Sequence, residues 1–180
     1  MKKLNILLLV LCTTLFASKS NAQNAVVPNG GFEKWSALGA GAPETPDGWV
    51  SSDLFSFAFG GGKSSSATKS TDKKSGSFAI VLKRDIVTTA TSSDTVTGTI
   101  ITGSLLGLLQ NNTLGFVSKT RPSALTGFYK LVNPDKDTAD IIITAGKFNT
   151  TTKQSDEVGT GELFLTTPAT TFTSFSVPIK

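Results

Sequence analysis

Thr138-Ala139-Asp140-Ile141-Ile142-Ile143-Thr144-Ala145 alternates along its length. Ala139, Ile141, Ile143 and Ala145 fall on one side of an extended chain, and Asp140, Ile142 and Thr144 on the other. Successive side chains of a strand point to opposite faces, so this period of two predicts a half-buried β-strand. The pattern recurs at the C-terminus, where Phe175, Val177 and Ile179 alternate with Ser174, Ser176 and Pro178. Phe78, Ile80 and Leu82 form a third such set. Further strand candidates are Leu54 to Phe59, Thr95 to Leu105, Leu125 to Val132 and Glu162 to Thr166, separated by turn formers such as Asn133-Pro134-Asp135. Only Leu105 to Gln110 offers a short helical turn. About eight or nine strands without a βαβ rhythm predict an all-β domain in which two sheets pack as a sandwich.

Outward from these strands, the N-terminus has a different character. Lys2 and Lys3 precede an apolar run from Leu4 to Phe16, and Ser20-Asn21-Ala22 supplies the small-x-small pattern that signal peptidase accepts before Gln23. Residues 1–22 are therefore expected to be a cleaved signal peptide and residues 23–180 a single exported β-sandwich domain. The apolar run is too short for a membrane span. Cys12 lies in its middle, not at its end, which argues against lipid anchoring. Cleavage removes the one cysteine and three of the 17 basic residues, leaving 14 against 13 acidic ones, a net charge of +1 where the whole chain carries +4. Such a balance gives no electrostatic case for nucleic acid or an anionic membrane. The stretch near 60–77, Gly60 to Gly76 with Lys63, Lys69, Lys73 and Lys74 among serines and threonines, lacks large apolar side chains and is expected to be a mobile loop.

The chain contains no histidine. With no cysteine after cleavage, Ser-His-Asp and Cys-His catalysis and the common zinc sites are closed to it. Four glutamates remain, Glu33, Glu44, Glu157 and Glu162, and none stands in a pattern that prepares it as an acid or nucleophile. Gly60-Gly61-Gly62-Lys63-Ser64 lacks the earlier glycine of a phosphate loop. The expectation is a protein that is not an enzyme.

Asn29-Gly30-Gly31-Phe32-Glu33-Lys34-Trp35 followed by Pro46-Asp47-Gly48-Trp49 resembles the opening of β-sandwich carbohydrate-binding modules. Lys74-Ser75-Gly76-Ser77-Phe78-Ala79 matches a second element of that pattern. Thr120-Arg121-Pro122-Ser123-Ala124-Leu125-Thr126-Gly127-Phe128-Tyr129-Lys130, with Asp137-Thr138-Ala139-Asp140-Ile141 behind it, resembles the carbohydrate-metabolism domain family of exported Bacteroidetes proteins. That resemblance spans about residues 28 to 179. It implies a galactose-binding-like jelly roll, periplasmic, displayed at the cell surface or secreted, with carbohydrate as its partner. The family continues past the position of Lys180, so it also implies a C-terminally truncated sandwich.

The ligand contacts expected on this basis are Trp35, Arg121 and Tyr129. Trp35 is the better placed of the two tryptophans, because the Ser36 to Thr45 loop after it is small and polar and a pyranose C–H face stacks on an indole. For Arg121 and Tyr129, as for Phe32 and Trp49, a structural role in the scaffold takes precedence, and Phe55, Phe57 and Phe59 read as core. The resemblance also suggests a structural calcium on Glu33, and because the acidic closing strand is missing, either that calcium is absent, Asp140 substitutes for the acid, or the sequence is incomplete; no other cofactor is required. Three functions follow in order: a non-catalytic glycan binder, a structural or adhesive protein of the same fold, and a glycosidase with two opposed carboxylates.

Overall fold

The computed structural model describes residues 26–60, 62–88, 93–111, 114–132, 138–152 and 154–180. The leader over 1–22 and the Asn133-Pro134-Asp135 turn lie outside these residues. Within them the order is β1 (Trp35–Ala37), β2 (Glu44–Pro46), β3 (Trp49–Ser51), α1 (Ser52–Ala58), β4 (Ala67–Ser70), β5 (Ala79–Leu82), β6 (Arg84–Thr88), β7 (Ser93–Thr97), β8 (Ile100–Thr102), α2 (Leu105–Asn111), β9 (Ala124–Leu131), β10 (Ala139–Asn149), β11 (Gln154–Leu165) and β12 (Ala169–Pro178). The class is all-β, and its strands are more numerous than the alternation alone indicates, with β10 and β11 also longer.

All pairings are antiparallel. Four ladders join neighbours in sequence, β1 with β2, β4 with β5, β6 with β7 and β10 with β11, and two join distant segments, β3 with β8 and β9 with β12. The longest is β10–β11, running from Ala139 opposite Leu165 to Asn149 opposite Gln154, with a register shift at Ala145/Gly146. Its faces follow the sequence pattern: Ala139, Ile141, Ile143 and Ala145 are half-buried, and Asp140, Ile142 and Thr144 are exposed. In β12, Val177 is fully enclosed between half-buried Phe175 and Ile179. Phe175 lies across from Gly127 of β9, where an added Cβ would come within 2.6 Å of the ring. The glycine thus lets the phenyl group cross the partner strand.

Three expectations are corrected. Leu54 to Phe59 is helical and not a strand, because Ser51 caps it: its hydroxyl oxygen accepts the Leu54 N–H at 3.1 Å, satisfying a donor that a helix start leaves free. Leu54 is the apolar residue of α1 that is buried, whereas Phe55, Phe57 and Phe59 are exposed and not core. Phe55 and Phe59, four apart and so on one helical face, pack ring to ring with centroids 4.5 Å apart. The second correction concerns the stretch near 60–77, which is not a loop throughout. Residues 67–70 form β4, and Ser66 and Ala67 are buried. Thr95 to Leu105, read as one strand, is divided between β7, β8 and the start of α2.

Among the described residues the buried apolar side chains include Pro46, Val50, Leu54, Ala67, Val87, Leu105, Leu165 and Val177. No helix among the described residues is long and apolar enough to cross a membrane.

Candidate functional site

The Asn29 to Trp35 motif folds on itself through side chain to backbone hydrogen bonds. Asn29 adopts a left-handed backbone (φ 47°), which asparagine tolerates better than most residues. Its Oδ1 accepts the Lys34 N–H at 3.0 Å, and its Nδ2 donates to the carbonyls of Lys34 (2.9 Å) and Asp47 (3.1 Å). Phe32 is also left-handed (φ 56°). Its ring meets that of Trp49 with centroids 5.2 Å apart, and its carbonyl accepts the Trp35 indole N–H at 2.6 Å. Trp35 is thereby fixed at the start of β1, half-buried. Trp49 is half-buried against Phe32, and its own indole nitrogen is enclosed without an acceptor among the described residues.

Trp35 borders an open cleft of about 220 Å³, called the cavity below, shared with Glu44, Asp53, Ser64, Ser65 and Lys69. At its inner end Asp53, in the first turn of α1, is only 3 % exposed. Its Oδ1 accepts from the Ser64 hydroxyl (2.5 Å), the Ser66 hydroxyl (2.6 Å) and the Ser66 N–H (2.9 Å), and its Oδ2 from the Ala67 N–H (3.0 Å). A buried carboxylate without a cation needs such donors to remain charged. Burial pushes this carboxyl up, but the hydroxyls of Ser64 and Ser66 and the amides of Ala67 and Ser66 outweigh it and hold it below its ordinary range. The Ser52 and Ser66 hydroxyls meet at 2.7 Å, and Ser52 and Thr99 exchange two further bonds, tying α1 to the entry of β8.

At the rim, the Lys69 ammonium lies 2.9 Å from Glu44 Oε2 and 5.2 Å from the ring centroids of both Trp35 and Phe78. The attraction of an ammonium for aromatic faces adds to the ion pair in holding Lys69 there.

Of the expected ligand contacts, Trp35 lies at this cavity, and Arg121 and Tyr129 are not among its lining residues. Arg121 is exposed before β9, where its Nη2 reaches the Val158 carbonyl only at 3.5 Å. Tyr129, half-buried in β9, packs beside Phe175 with centroids 6.5 Å apart. The two acids of the expected calcium pair, Glu33 and Asp140, have different neighbours. Both Glu33 oxygens accept the Ser77 N–H, at 3.0 and 2.9 Å, and Oε1 is 3.4 Å from the Phe78 nitrogen. These amides turn the positive ends of their dipoles toward the carboxylate, which is the orientation a cation would oppose. Asp140 lies exposed on β10 opposite Phe164. Asp137, which stood near it in the sequence, lies outside the described residues. The Ser77 and Phe78 amides already engage the Glu33 oxygens, and no group of three or more acidic, cysteine or histidine side chains that could hold a metal occurs among the described residues. Chelation with excess EDTA is accordingly expected to leave the thermal unfolding midpoint unchanged, and a drop of several degrees, restored by calcium, would reject this assignment of Glu33.

Sequence reasoning missed Glu44, Asp53, Ser64, Ser65 and Lys69 as members of a site. The available signal was Ser51 with Asp53, a helix cap followed by an acid in the first turn, just before a serine run rich in donors. No family model, no curated protein and no solved structure matches the chain.

Proposed function

We propose that the chain is an exported, non-catalytic glycan-binding module, a jelly-roll β-sandwich acting in the periplasm, at the cell surface or outside the cell. The observation that carries this reading is the cavity in which the Trp35 indole borders the hydroxyls of Ser64 and Ser65 and the charged groups of Glu44 and Lys69. Saccharide sites combine these elements: a ring face receives the sugar's C–H groups, and a few polar atoms orient its hydroxyls. The state of the acids supports binding over hydrolysis. A glycosidase needs one carboxyl group to donate a proton and a second facing it. Here Asp53 is kept ionised by its donors and Glu44 is paired with Lys69.

The test is retention on a panel of polysaccharide matrices, with elution by free saccharide. Trp35→Ala is expected to weaken retention about tenfold, the scale on which a stacked ring contributes to affinity. Because the indole also donates to Phe32, Trp35→Phe serves as the companion variant. It keeps a ring, loses the N–H, and should retain most of the binding if stacking is the cause. Absence of saccharide-dependent retention across the panel rejects the reading.

The structural or adhesive alternative draws on the exposed side chains Ile142, Phe148 and Phe164 of the β10–β11 hairpin. It differs in predicting association insensitive to free sugar.

A further inference from the structure

The glycan-binding reading leaves open which sugars enter the cavity, and the charges around it bear on that choice. Glu44 and Lys69 neutralise each other at 2.9 Å. Asp53 differs, because all of its hydrogen-bond donors are neutral: two serine hydroxyls and two backbone amides. Those bonds stabilise the charge without cancelling it, leaving the three charged lining side chains with one net negative charge. Asp85 of β6, which accepts the Ser65 N–H at 2.7 Å, adds a further carboxylate beside the Ser65 wall.

Two groups at the wall present acceptors for hydrogen bonds. A serine hydroxyl has one proton to donate. Ser64 gives its proton to Asp53, so toward the cavity its oxygen offers lone pairs. Glu44 holds Lys69 through Oε2, and its Oε1 carries no hydrogen bond among the described residues. Against these acceptors stand the donors of the wall, the Lys69 ammonium and the Ser65 and Thr68 hydroxyls. The volume, about 220 Å³, is below the range of roughly 300–1,000 Å³ that houses drug-sized ligands, and suits a single ring.

We infer that this cavity is a monosaccharide subsite for an amino sugar bearing a free ammonium group, selecting it over N-acetylated and uronate sugars. The inference rests on the glycan-binding reading. An ammonium group brings a positive charge to a wall with a net negative charge, and three donors for the acceptors of Ser64 and Glu44. Acetylation removes that charge and replaces two donors with an amide, while a uronate brings a second negative charge into a small cavity.

Calorimetric titration of the purified protein with three tetrasaccharides tests this: fully deacetylated glucosamine, N-acetylglucosamine and galacturonate, at slightly acidic pH and at low and high salt. The glucosamine tetramer is expected to bind about tenfold more tightly than the N-acetylated one, with no detectable uronate binding. Trp35→Ala should weaken the interaction about tenfold. Two rim variants should act with opposite signs. Glu44→Gln removes a negative charge and is expected to reduce the preference several-fold, whereas Lys69→Met removes a competing cation and is expected to increase it. Equal or tighter Trp35-dependent binding of the N-acetylated or uronate tetramer overturns the selectivity and leaves the glycan-binding reading standing. Binding of the glucosamine tetramer that is indifferent to Trp35→Ala and lost at high salt overturns the subsite, since it reports only polycation attraction to acidic surface. No binding of any tetramer or of the polysaccharide panel rejects both.

Discussion

Asp53→Asn is expected to lower the free energy of unfolding by about 3 kcal/mol near neutral pH, since buried hydrogen-bond networks with a charged member lose about this much when broken. The wild-type carboxylate offers only acceptors, and all four donors around it are committed to it. An asparagine must turn its NH₂ group toward one oxygen position. Placed at Oδ2 it faces the Ala67 N–H; placed at Oδ1 it faces the Ser66 N–H. The serine hydroxyls can rotate, but a backbone amide cannot, so either orientation leaves a buried N–H unsatisfied. The pH dependence gives the prediction its sign. The folded state holds this carboxyl below its ordinary 3.8, so its contribution is complete above that value and is lost as pH falls through the lower, folded value. The gap between wild type and Asp53→Asn should therefore narrow on acidification below about pH 4. Urea denaturation at neutral pH and at steps into acid measures both effects. A gap under about 1 kcal/mol, or one that does not narrow, contradicts the network described for Asp53.

The legibility of this chain divides near its middle. Segments of β9 to β12 could be read from alternation, Leu125 to Val132, Thr138 to Ala145, Glu162 to Thr166 and Phe175 to Ile179, whereas the start of β11, exposed on both faces, could not. Long strands repeat the period of two often enough for Ile141, Ile143, Phe175 and Val177 to declare their side. In the first half β1, β2 and β3 have three residues each, and β4 has four, too few for a period to emerge. Their positions are set instead by Asn29, Glu33 and Asp53, whose bonds reach partners 5 to 45 residues away. Such bonds leave no local trace. The helix α1 shows the converse problem. Phe55, Phe57 and Phe59 carry a strand's spacing, but Ser51 starts a helix and the three rings find no covering face. A cap outweighs a short alternation when that alternation buries nothing.

The candidate site divides in the same way. Trp35 was visible as an aromatic side chain beside a polar loop. Its neighbours were hidden because serines and lysines read as solvent-exposed until the fold gives them a partner. Glu44 and Lys69 are 25 residues apart and meet between β2 and β4. The Asn-Gly-Gly-Phe-Glu motif was legible as a motif, but its residues serve the scaffold: Asn29 closes the turn, Phe32 packs on Trp49, and Glu33 holds the amides before β5. Its contribution to the site is indirect, through the bond that orients Trp35.

That scaffold has one point at which a single methyl group should have a large effect. Three backbone segments meet around Gly98: the Lys83 N–H donates to the Ser66 carbonyl at 2.8 Å, and the Gly98 N–H donates to the Lys83 carbonyl at 2.9 Å. These bonds connect the entry of β4, the β5–β6 junction and the β7–β8 junction. A Cβ on residue 98 would collide with the Ser66 carbonyl oxygen and come within 2.6 Å of Lys83 N and 2.8 Å of Lys83 O. All three are backbone atoms, so no side chain can move aside. Elsewhere, Gly→Ala stabilises by up to about 1 kcal/mol through the unfolded chain. Here the collision decides the sign, and Gly98→Ala is expected to destabilise by about 3 kcal/mol, the upper end for overpacking in a close-packed interior. Because Ser66 also donates to Asp53, the displacement should carry into the cavity and weaken glycan retention in the fraction that remains folded. Gly39→Ala provides the contrast, since an added Cβ there meets nothing within 4 Å, and it should change stability by under about 0.5 kcal/mol. Chemical denaturation of the two variants side by side is the measurement. A Gly98→Ala protein as stable as Gly39→Ala would mean that the three segments do not approach one another as described.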